Sequence, residues 1–188
     1  VAVAGRYAYV AARYAGLQVI DLTAAGGPRV VGAVATPGTA RAVDVAGDYA
    51  YLADGEDGLQ VIDVSQPQAP RILGTAATPQ PALAVRVVAV PNSPTVYAFV
   101  TIVTGTVQVV DVTDPTNPRI AASSPIPETD VAPIAPSATG LAIPTDAAGH
   151  CVTVNGKCYA YAAGGNDGLL VLDVTASLNP DTSLALAP

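Results

Sequence analysis

The hexapeptide GLQVID occupies Gly16–Asp21 and occurs again, letter for letter, at Gly58–Asp63. Two related segments end in the same residue type: TVQVVD at Thr106–Asp111 and GLLVLD at Gly168–Asp173. Four copies of one sequence unit are therefore marked by the aspartates Asp21, Asp63, Asp111 and Asp173. Self-similarity of this kind is the sequence signature of a repeat architecture.

Each aspartate is preceded, at a distance of 14 residues, by the start of an aromatic-Ala-aromatic triplet. The first residues of the four triplets are Tyr7, Tyr49, Tyr97 and Tyr159. The spacing between copies varies instead: 42 residues from Asp21 to Asp63, 48 to Asp111 and 62 to Asp173. The distance from tyrosine to aspartate is the same in every copy, whereas the distance between copies varies. This pattern indicates a rigid repeated unit joined by loops of different length. We therefore interpret the tyrosines and aspartates as structural, with each aspartate stabilising the turn that follows it.

The units contain segments with the features of short β-strands. YAYLAD has a period of two and contains residues that favour β-strands. GLQVIDV is apolar on both faces, as expected for a strand covered on two sides. Further short strands are predicted at Ala42–Ala46 and Arg71–Ala76, and Pro-rich turns at Ser65–Pro70 and Thr113–Pro118. No window has a helical period. The sequence predicts an all-β fold with four-stranded antiparallel units of roughly 40 to 45 residues, the size of a β-propeller blade.

About four blades are predicted, at residues 1–37, 38–80, 81–125 and 138–188, with a Pro-rich insertion at 123–144. We expect this insertion to be a contact loop or, alternatively, a site for O-glycans. The chain lacks methionine, and strands are expected at Val1–Ala4 and Ser183–Ala187. The chain is thus expected to be a segment of a larger propeller or one propeller domain by itself. In the second case, the open edges of its blades would need a partner chain.

Composition narrows the classes of partner. Half of the residues are hydrophobic and 12% are charged, which is typical of a folded domain. The net charge is −7 and no basic stripe is present, so we expect no nucleic-acid partner and no attraction to anionic membrane surfaces. The longest nearly apolar run, Ala82–Pro91, is interrupted by Arg86, so membrane insertion is not expected.

The two cysteines, Cys151 and Cys158, flank the segment VTVNGK, and Asn-Gly is a strong hairpin-turn signal. A two-residue turn would pair Thr153 with Cys158, whereas a four-residue loop would place the cysteines opposite each other. Either hairpin brings the sulfurs close, so we predict a disulfide. A metal site here is not expected, because His150 is the one further ligand nearby.

Calcium is the one cofactor considered. The weak candidate ligands lie in two Gly-rich turns and are Asp54, Glu56, Asp57, Asn166 and Asp167. Their spacing does not match an EF-hand loop, so solvated hairpin tips are the favoured interpretation. We expect no catalytic residue. His150 lies beside a cysteine in sequence, which does not create a catalytic pair. No G-x-S-x-G or H-E-x-x-H motif, Walker loop or C-x-x-C-H haem site is present.

An enzymatic propeller would need polar side chains on its innermost strands, near the central channel. The predicted innermost strands carry Arg41, Asp44 and Arg86 as charged residues. These three do not define a reaction, and they would serve equally to bind an anion or to line a wet channel. Sugar binding would require exposed aromatic residues, of which Tyr14, at a predicted hairpin tip, is the one candidate.

The pattern G-L-x-V-I-D-V, preceded by Y-A-Y and followed by D/S-x-P-x-x-P, resembles the LVIVD repeat family of surface-associated β-propeller proteins. The resemblance extends over nearly the whole chain, in four copies. It implies a propeller fold and a location outside the cell or on its surface. The third copy departs from the pattern, because Thr106 stands where the other copies have glycine.

These observations favour a non-enzymatic extracellular or cell-surface module with a structural or interaction role. Its partner would be a protein or further copies of itself, in a self-assembling surface structure or filament. The alternative is an accessory or ligand-binding propeller domain of a larger secreted enzyme.

Overall fold

The structure is a computed structural model that describes residues 1–104, 106–125, 140–163 and 169–175. The predicted calcium ligands Asn166 and Asp167, the centre of the Pro-rich stretch and the strand expected at Ser183–Ala187 lie outside the described residues. None of the described residues belongs to a helix long and apolar enough to cross a membrane.

The described chain forms four antiparallel sheets, and within each sheet the strand order follows the chain. The strands of the first two sheets are β1 (Ala2–Ala4), β2 (Tyr7–Ala11), β3 (Leu17–Asp21), β4 (Arg29–Val34), β5 (Ala42–Ala46), β6 (Tyr49–Ala53), β7 (Leu59–Asp63) and β8 (Arg71–Ala76). Those of the other two are β9 (Ala82–Ala89), β10 (Val96–Ile102), β11 (Thr106–Asp111), β12 (Arg119–Pro125), β13 (Gly140–Ala142), β14 (Tyr159–Ala163) and β15 (Leu169–Asp173). The predicted all-β architecture of antiparallel sheets is confirmed.

The sheets stack side by side as the blades of a propeller do. Each sheet begins with its innermost strand, and the innermost strands of successive sheets contact one another: β1 with β5, β5 with β9, and β9 with β13. The stretch interpreted as a Pro-rich insertion, 123–144, begins within β12 and includes β13. Its first residues therefore belong to the third sheet, and Gly140–Ala142 belongs to the fourth.

Each of the two central sheets is buried on both faces, which explains the apolar hexapeptide. In the first sheet, Leu17 and Val19 are buried against the second sheet. The second sheet buries Leu52 and Ile62 against the first sheet, and Val61 against the third. Because side chains alternate along a strand, a strand between two neighbours needs apolar residues at both parities.

The register also explains the 14-residue spacing between tyrosine and aspartate. Tyr7 lies opposite Asp21 across the β2–β3 ladder, and Tyr49 lies opposite Asp63 in the second sheet. The same pairing joins Tyr97 to Asp111 and Tyr159 to Asp173. A hairpin of fixed length therefore sets the distance that the sequence repeats.

An irregularity that the sequence did not predict recurs in three sheets. The pairing between the third and fourth strands shifts by one residue after Val19, Val61 and Val109. A bulge of this kind increases the local twist and bends the strand. The outer strands β4, β8 and β12 thus curve in the same way in each sheet.

A Pro-rich turn of one sheet rests on the outer strand of the sheet before it. A side chain at Gly32 in β4 would lie 2.1 Å from the carbonyl oxygen of Pro67, and one at Gly74 in β8 would lie 2.6 Å from that of Pro115. Both distances are far below van der Waals contact. Glycine at these positions lets the next turn approach the backbone directly.

We therefore expect Gly32→Ala to lower the free energy of unfolding by about 1–3 kcal/mol, the usual cost of overpacking. The measurement is urea denaturation followed by circular dichroism. The matched control is Gly140→Ala, whose new methyl group would meet the Ala163 side chain at an ordinary 3.5 Å. Equal stability of the two variants would show that the turn does not pack on β4 as described.

Candidate functional site

Polar groups gather at the inner strands of the second and third sheets. Ladder pairing places Asp44 opposite Tyr51 and Arg86 opposite Phe99, so the two charged residues occupy equivalent positions in neighbouring sheets. The corresponding position is Ala2 in the first sheet and Ala142 in the fourth. This pair of charges is therefore a departure from the repeat.

Asp44 and Arg86 form an ion pair that connects three sheets. Arg86 Nη1 donates to Asp44 Oδ1 at 3.1 Å, and Arg86 Nε donates to the carbonyl oxygen of Leu141 at 3.1 Å. The Asp44 carboxylate also accepts the backbone N–H of Val87 at 2.9 Å and that of Val45 at 3.0 Å. Charge-assisted hydrogen bonds of this kind fix the orientation of both side chains.

A pocket of about 560 Å³ opens beside this ion pair. Its walls are Asp44 and the turn that follows β5, Arg86 and Val87 of β9, and the segment from Ala142 to Gly149 that leaves β13. The side chain of Arg86 is 42% exposed, so part of it faces solvent. The predicted candidate Arg41 is exposed and does not line the pocket.

The loop after β13 is held in place by its own aspartate. Asp146 accepts the backbone N–H of Ala148 at 2.8 Å and that of His150 at 2.9 Å. The His150 ring nitrogen Nδ1 lies 3.3 Å from the second carboxylate oxygen. The backbone N–H of His150 is the main reason that the pKa of Asp146 lies below its usual range. The loop also joins β9, because Ala89 donates its N–H to the carbonyl oxygen of Gly149 at 2.9 Å.

The predicted disulfide is present and closes the hairpin that follows this loop. Cys151 and Cys158 are bonded, with their Cα atoms 6.0 Å apart. Asn155 and Gly156 both have positive φ, at 52° and 76°, as a two-residue hairpin turn requires. Val154 and Lys157 exchange backbone hydrogen bonds around that turn, so the two-residue alternative describes the hairpin. The bond tethers one end of the pocket loop to the start of β14.

The four repeated aspartates lie at the ends of their strands, away from the pocket. Each accepts the backbone N–H of the residue two positions on, which is Thr23, Ser65, Thr113 or Thr175, at 2.9–3.1 Å. Three of them also bind a cation: Arg6 contacts Asp21, Arg71 contacts Asp63, and Lys157 contacts Asp173.

Hydrogen bonds and a nearby cation hold the pKa of three of these aspartates, Asp21, Asp63 and Asp173, below its usual range. The hydroxyl of Ser65, its backbone N–H and the Arg71 guanidinium lower the pKa of Asp63 to about 2. The ammonium of Lys157 and the hydroxyl of Thr175 lower the pKa of Asp173 to about 2. The contacts of the four aspartates are thus those of turn-stabilising groups.

The predicted calcium ligands in the second sheet do not converge. Asp54 is fully buried, where it accepts the Thr36 hydroxyl at 2.7 Å and the Gly38 N–H at 3.0 Å, and burial raises its pKa. Glu56 is exposed on the same turn, and Asp57 is half-buried. Within the described ranges, no three His, Cys, Asp or Glu side chains form a group that could hold a metal ion. Asp54 instead stabilises the segment between β4 and β5, which connects the first two sheets, by its hydrogen bonds with Thr36 and Gly38.

The repeats match a known family along most of the chain. The model of the LVIVD repeat matches residues 1–36, 37–78, 96–124 and 150–186. The chain belongs to the LVIVD repeat family. Each match contains one of the tyrosine–aspartate pairs described above, and the third and fourth matches begin after the innermost strands β9 and β13. A search of curated proteins gave no match.

Solved structures of propeller proteins resemble the LVIVD chain in fold. A periplasmic gluconolactonase from Pseudomonas aeruginosa, PpgL, is 18% identical, with a TM-score of 0.62 over 96% of this chain and 52% of its own. The computationally designed protein Ika8 is 11% identical, with a TM-score of 0.55 over 92% and 44%. Apo AztD from Citrobacter koseri is 16% identical, with a TM-score of 0.52 over 98% and 45%. At these identities the likeness concerns the fold alone. The chain spans about half the length of each structure.

Reduction of the disulfide should destabilise the LVIVD domain. For a loop this short, chain entropy predicts a loss of about 2–3 kcal/mol in the free energy of unfolding. The measurement is thermal denaturation with and without a phosphine reductant. As a control, the double variant Cys151→Ala/Cys158→Ala should melt at one temperature in both buffers. A wild-type melting temperature unaffected by reductant would contradict a stabilising bond.

Asp63 should make stability depend on pH in the acid range. Because its pKa is about 2 in the folded state and near 3.9 when unfolded, its contribution is complete above about pH 4 and is lost as the pH falls towards 2. We expect Asp63→Asn to be less stable than wild type at pH 6 and closer to wild type at pH 2. Urea denaturation at both pH values measures the difference.

The matched control for this experiment is Asp48→Asn, which removes the same formal charge at the exposed turn between β5 and β6. It should follow the pH dependence of the wild type. If Asp63→Asn also followed it, the contacts with Ser65 and Arg71 would not be stabilising.

Proposed function

We propose that this LVIVD chain is a non-enzymatic interaction module that acts outside the cell or on its surface and binds protein partners, further copies of itself included. The observation that carries the proposal is an uncovered apolar sheet face. Val3 and Leu22 of the first sheet are 64% and 41% exposed, whereas Val64, the second-sheet equivalent of Leu22, is 3% exposed. Apolar surface of this kind typically marks a protein–protein contact.

The extracellular part of the proposal is supported by the disulfide and by the family. Cys151–Cys158 requires an oxidising compartment to form and persist, as secreted and surface proteins have. The LVIVD resemblance implies surface association. A self-assembling surface structure or filament is one form that such an interaction would take, because head-to-tail contacts between identical subunits generate rings or filaments.

We propose that the pocket has no catalytic activity, because its charged side chains are hydrogen-bonded to other groups of the protein. Arg86 is committed to Asp44 and Leu141, and Asp146 is committed to the backbone of its own loop. A general base or acid needs a free lone pair or proton directed at a substrate. Groups that satisfy each other are better suited to shaping a binding surface.

A second candidate function is an accessory or ligand-binding propeller domain of a larger secreted enzyme. The pocket of about 560 Å³ favours it, because its volume is within the range of small-molecule sites. The exposed part of the Arg86 side chain would then recognise a polar ligand.

The test compares wild type with Arg86→Ala on a panel of sugar lactones, with acid release followed by titration at constant pH. Lactones are chosen because one structural neighbour is a gluconolactonase. We expect no release above buffer from either protein. Arg119→Ala, at an exposed position on the outer strand of the same sheet, is the matched control. Turnover by wild type that is lost in Arg86→Ala and kept in Arg119→Ala would overturn the non-enzymatic proposal.

A further inference from the structure

Successive sheets are joined by one type of interface, which occurs three times. The face that a sheet turns towards the following sheet, here called its trailing face, carries an aromatic residue and a valine: Tyr9 and Val19 in the first sheet, for example. The face turned towards the preceding sheet, here called its leading face, carries branched aliphatic residues, such as Leu52 and Ile62 in the second sheet. Each core therefore pairs a trailing face with a leading face.

The leading face of the first sheet is built like the others but is uncovered. Its residues Val10, Ile20 and Leu22 are equivalent to Leu52, Ile62 and Val64, which are at most 3% exposed. In the first sheet, Val10 and Ile20 are half-buried and Leu22 is 41% exposed. Val3, opposite Ala8 on the same face, is 64% exposed. This face has the residues of a sheet interface, but no sheet of the described residues covers it.

The trailing face of the fourth sheet is uncovered in the same way. Val171 is equivalent to Val19, Val61 and Val109, all three of which are fully buried, and yet Val171 is 55% exposed. Its ladder partner Tyr161 is half-buried, whereas the equivalent Phe99 in the third sheet is fully buried. The described part of the chain thus has one exposed trailing face and one exposed leading face, which are the two halves of the interface that its sheets already form with one another.

We propose that a second copy of this chain covers these faces head to tail, with the trailing face of the fourth sheet of each copy packed on the leading face of the first sheet of the other. Two copies of four sheets make a ring of eight, which is within the usual range of propellers. A second copy offers both complementary faces at once, so both contacts form together and the ring closes without a free apolar face. This inference rests on the proposed function, because it names the partner.

The solved structures support an occupant of this size. The chain corresponds to 44–52% of each of the three structures that it resembles. The part of each structure that this chain does not match is therefore about as large as this chain. Heterologous contacts that close after two copies give a dimer, and contacts that do not close give an open filament.

The experiment measures the mass of the 188-residue chain by sedimentation equilibrium. Wild type should have twice the 18.7 kDa mass of one chain. Val3→Asp and Val171→Asp each place a carboxylate in one of the two faces, where burial without a partner is unfavourable. We expect each to raise the dimer dissociation constant at least tenfold (roughly 1.4 kcal/mol or more).

Val154→Asp is the matched control, because Val154 is also an exposed valine, at 55%, but lies in the Cys151–Cys158 hairpin. It should dimerise like wild type. Circular dichroism and the melting temperature are used to check that all three variants fold, which their surface positions favour.

Mixing the two variants tests the head-to-tail geometry. Val3→Asp keeps an intact fourth-sheet face and Val171→Asp keeps an intact first-sheet face, so together they form one good interface. We expect the mixture to form dimers that neither variant forms alone. If Val171→Asp dimerised as well as wild type, the fourth-sheet face would lie outside the interface and the head-to-tail arrangement would be wrong.

Three further results would overturn the inference: a wild-type monomer at every concentration, a dimer that neither substitution weakens, or an open polymer in place of a closed dimer. None of them would overturn the proposed function, which fails instead on turnover that depends on Arg86. The two failures are therefore distinguishable.

Discussion

Packing of one sheet on the next through two-sided strands is the interaction on which the rest of this structure depends. The third strand of each sheet has apolar residues at both parities, so it gains most of its burial from two neighbours and little from its own sheet. A single sheet would expose half of that surface. Stability in such an array is close to a sum of nearest-neighbour terms, as in other repeat proteins. The sheet at either end of the described arc therefore has an unsatisfied side.

Irregular segments, by contrast, build the pocket. The repeats place alanine at the inner position in the first and fourth sheets, and the charges of Asp44 and Arg86 replace it in the second and third. The segment from Ala142 to Gly149, which precedes the Cys151–Cys158 hairpin, then lines the pocket beside this pair. The regular sheets supply a rigid support, and a few residues that depart from the repeat supply the recognition surface. This division is common in repeat scaffolds, where function is located in loops.

Local patterns in the sequence were sufficient for much of the fold. The spacing of Tyr49 and Asp63 reflects a hairpin of fixed length, and Asn155-Gly156 specified the turn that brings the cysteines together. The pairing of Asp44 with Arg86 could not be read in this way, because it joins residues 42 positions apart in different sheets. An alignment of β5 and β9 by the aromatic residues opposite them, Tyr51 and Phe99, places Asp44 and Arg86 at equivalent positions. This alignment is the sequence signal that would have suggested the pairing.

Two further features escaped sequence reasoning for the same reason. The buried role of Asp54 depends on Thr36 and Gly38, which belong to the preceding connection, and a Gly-rich turn alone suggests exposure. The close approach of Pro67 to Gly32 is likewise a contact between sheets. Composition and periodicity describe each sheet well, and they contain little about which atoms of its neighbour it meets.

The ion pair between Asp44 and Arg86 also bears on how nearly identical units find their order. The first two sheets share a hexapeptide and the same tyrosine–aspartate hairpin, so during folding each is a plausible substitute for the other, and misassembly among similar units is a known failure of repeat proteins. Apolar faces that are alike cannot distinguish the correct neighbour. A carboxylate on one inner strand and a guanidinium on the next do distinguish it. If the third sheet packed on the first, Arg86 would lie beside Ala2 as a partly desolvated charge without a counter-ion. The pair thus distinguishes the interface between the second and third sheets from the other, similar interfaces between sheets.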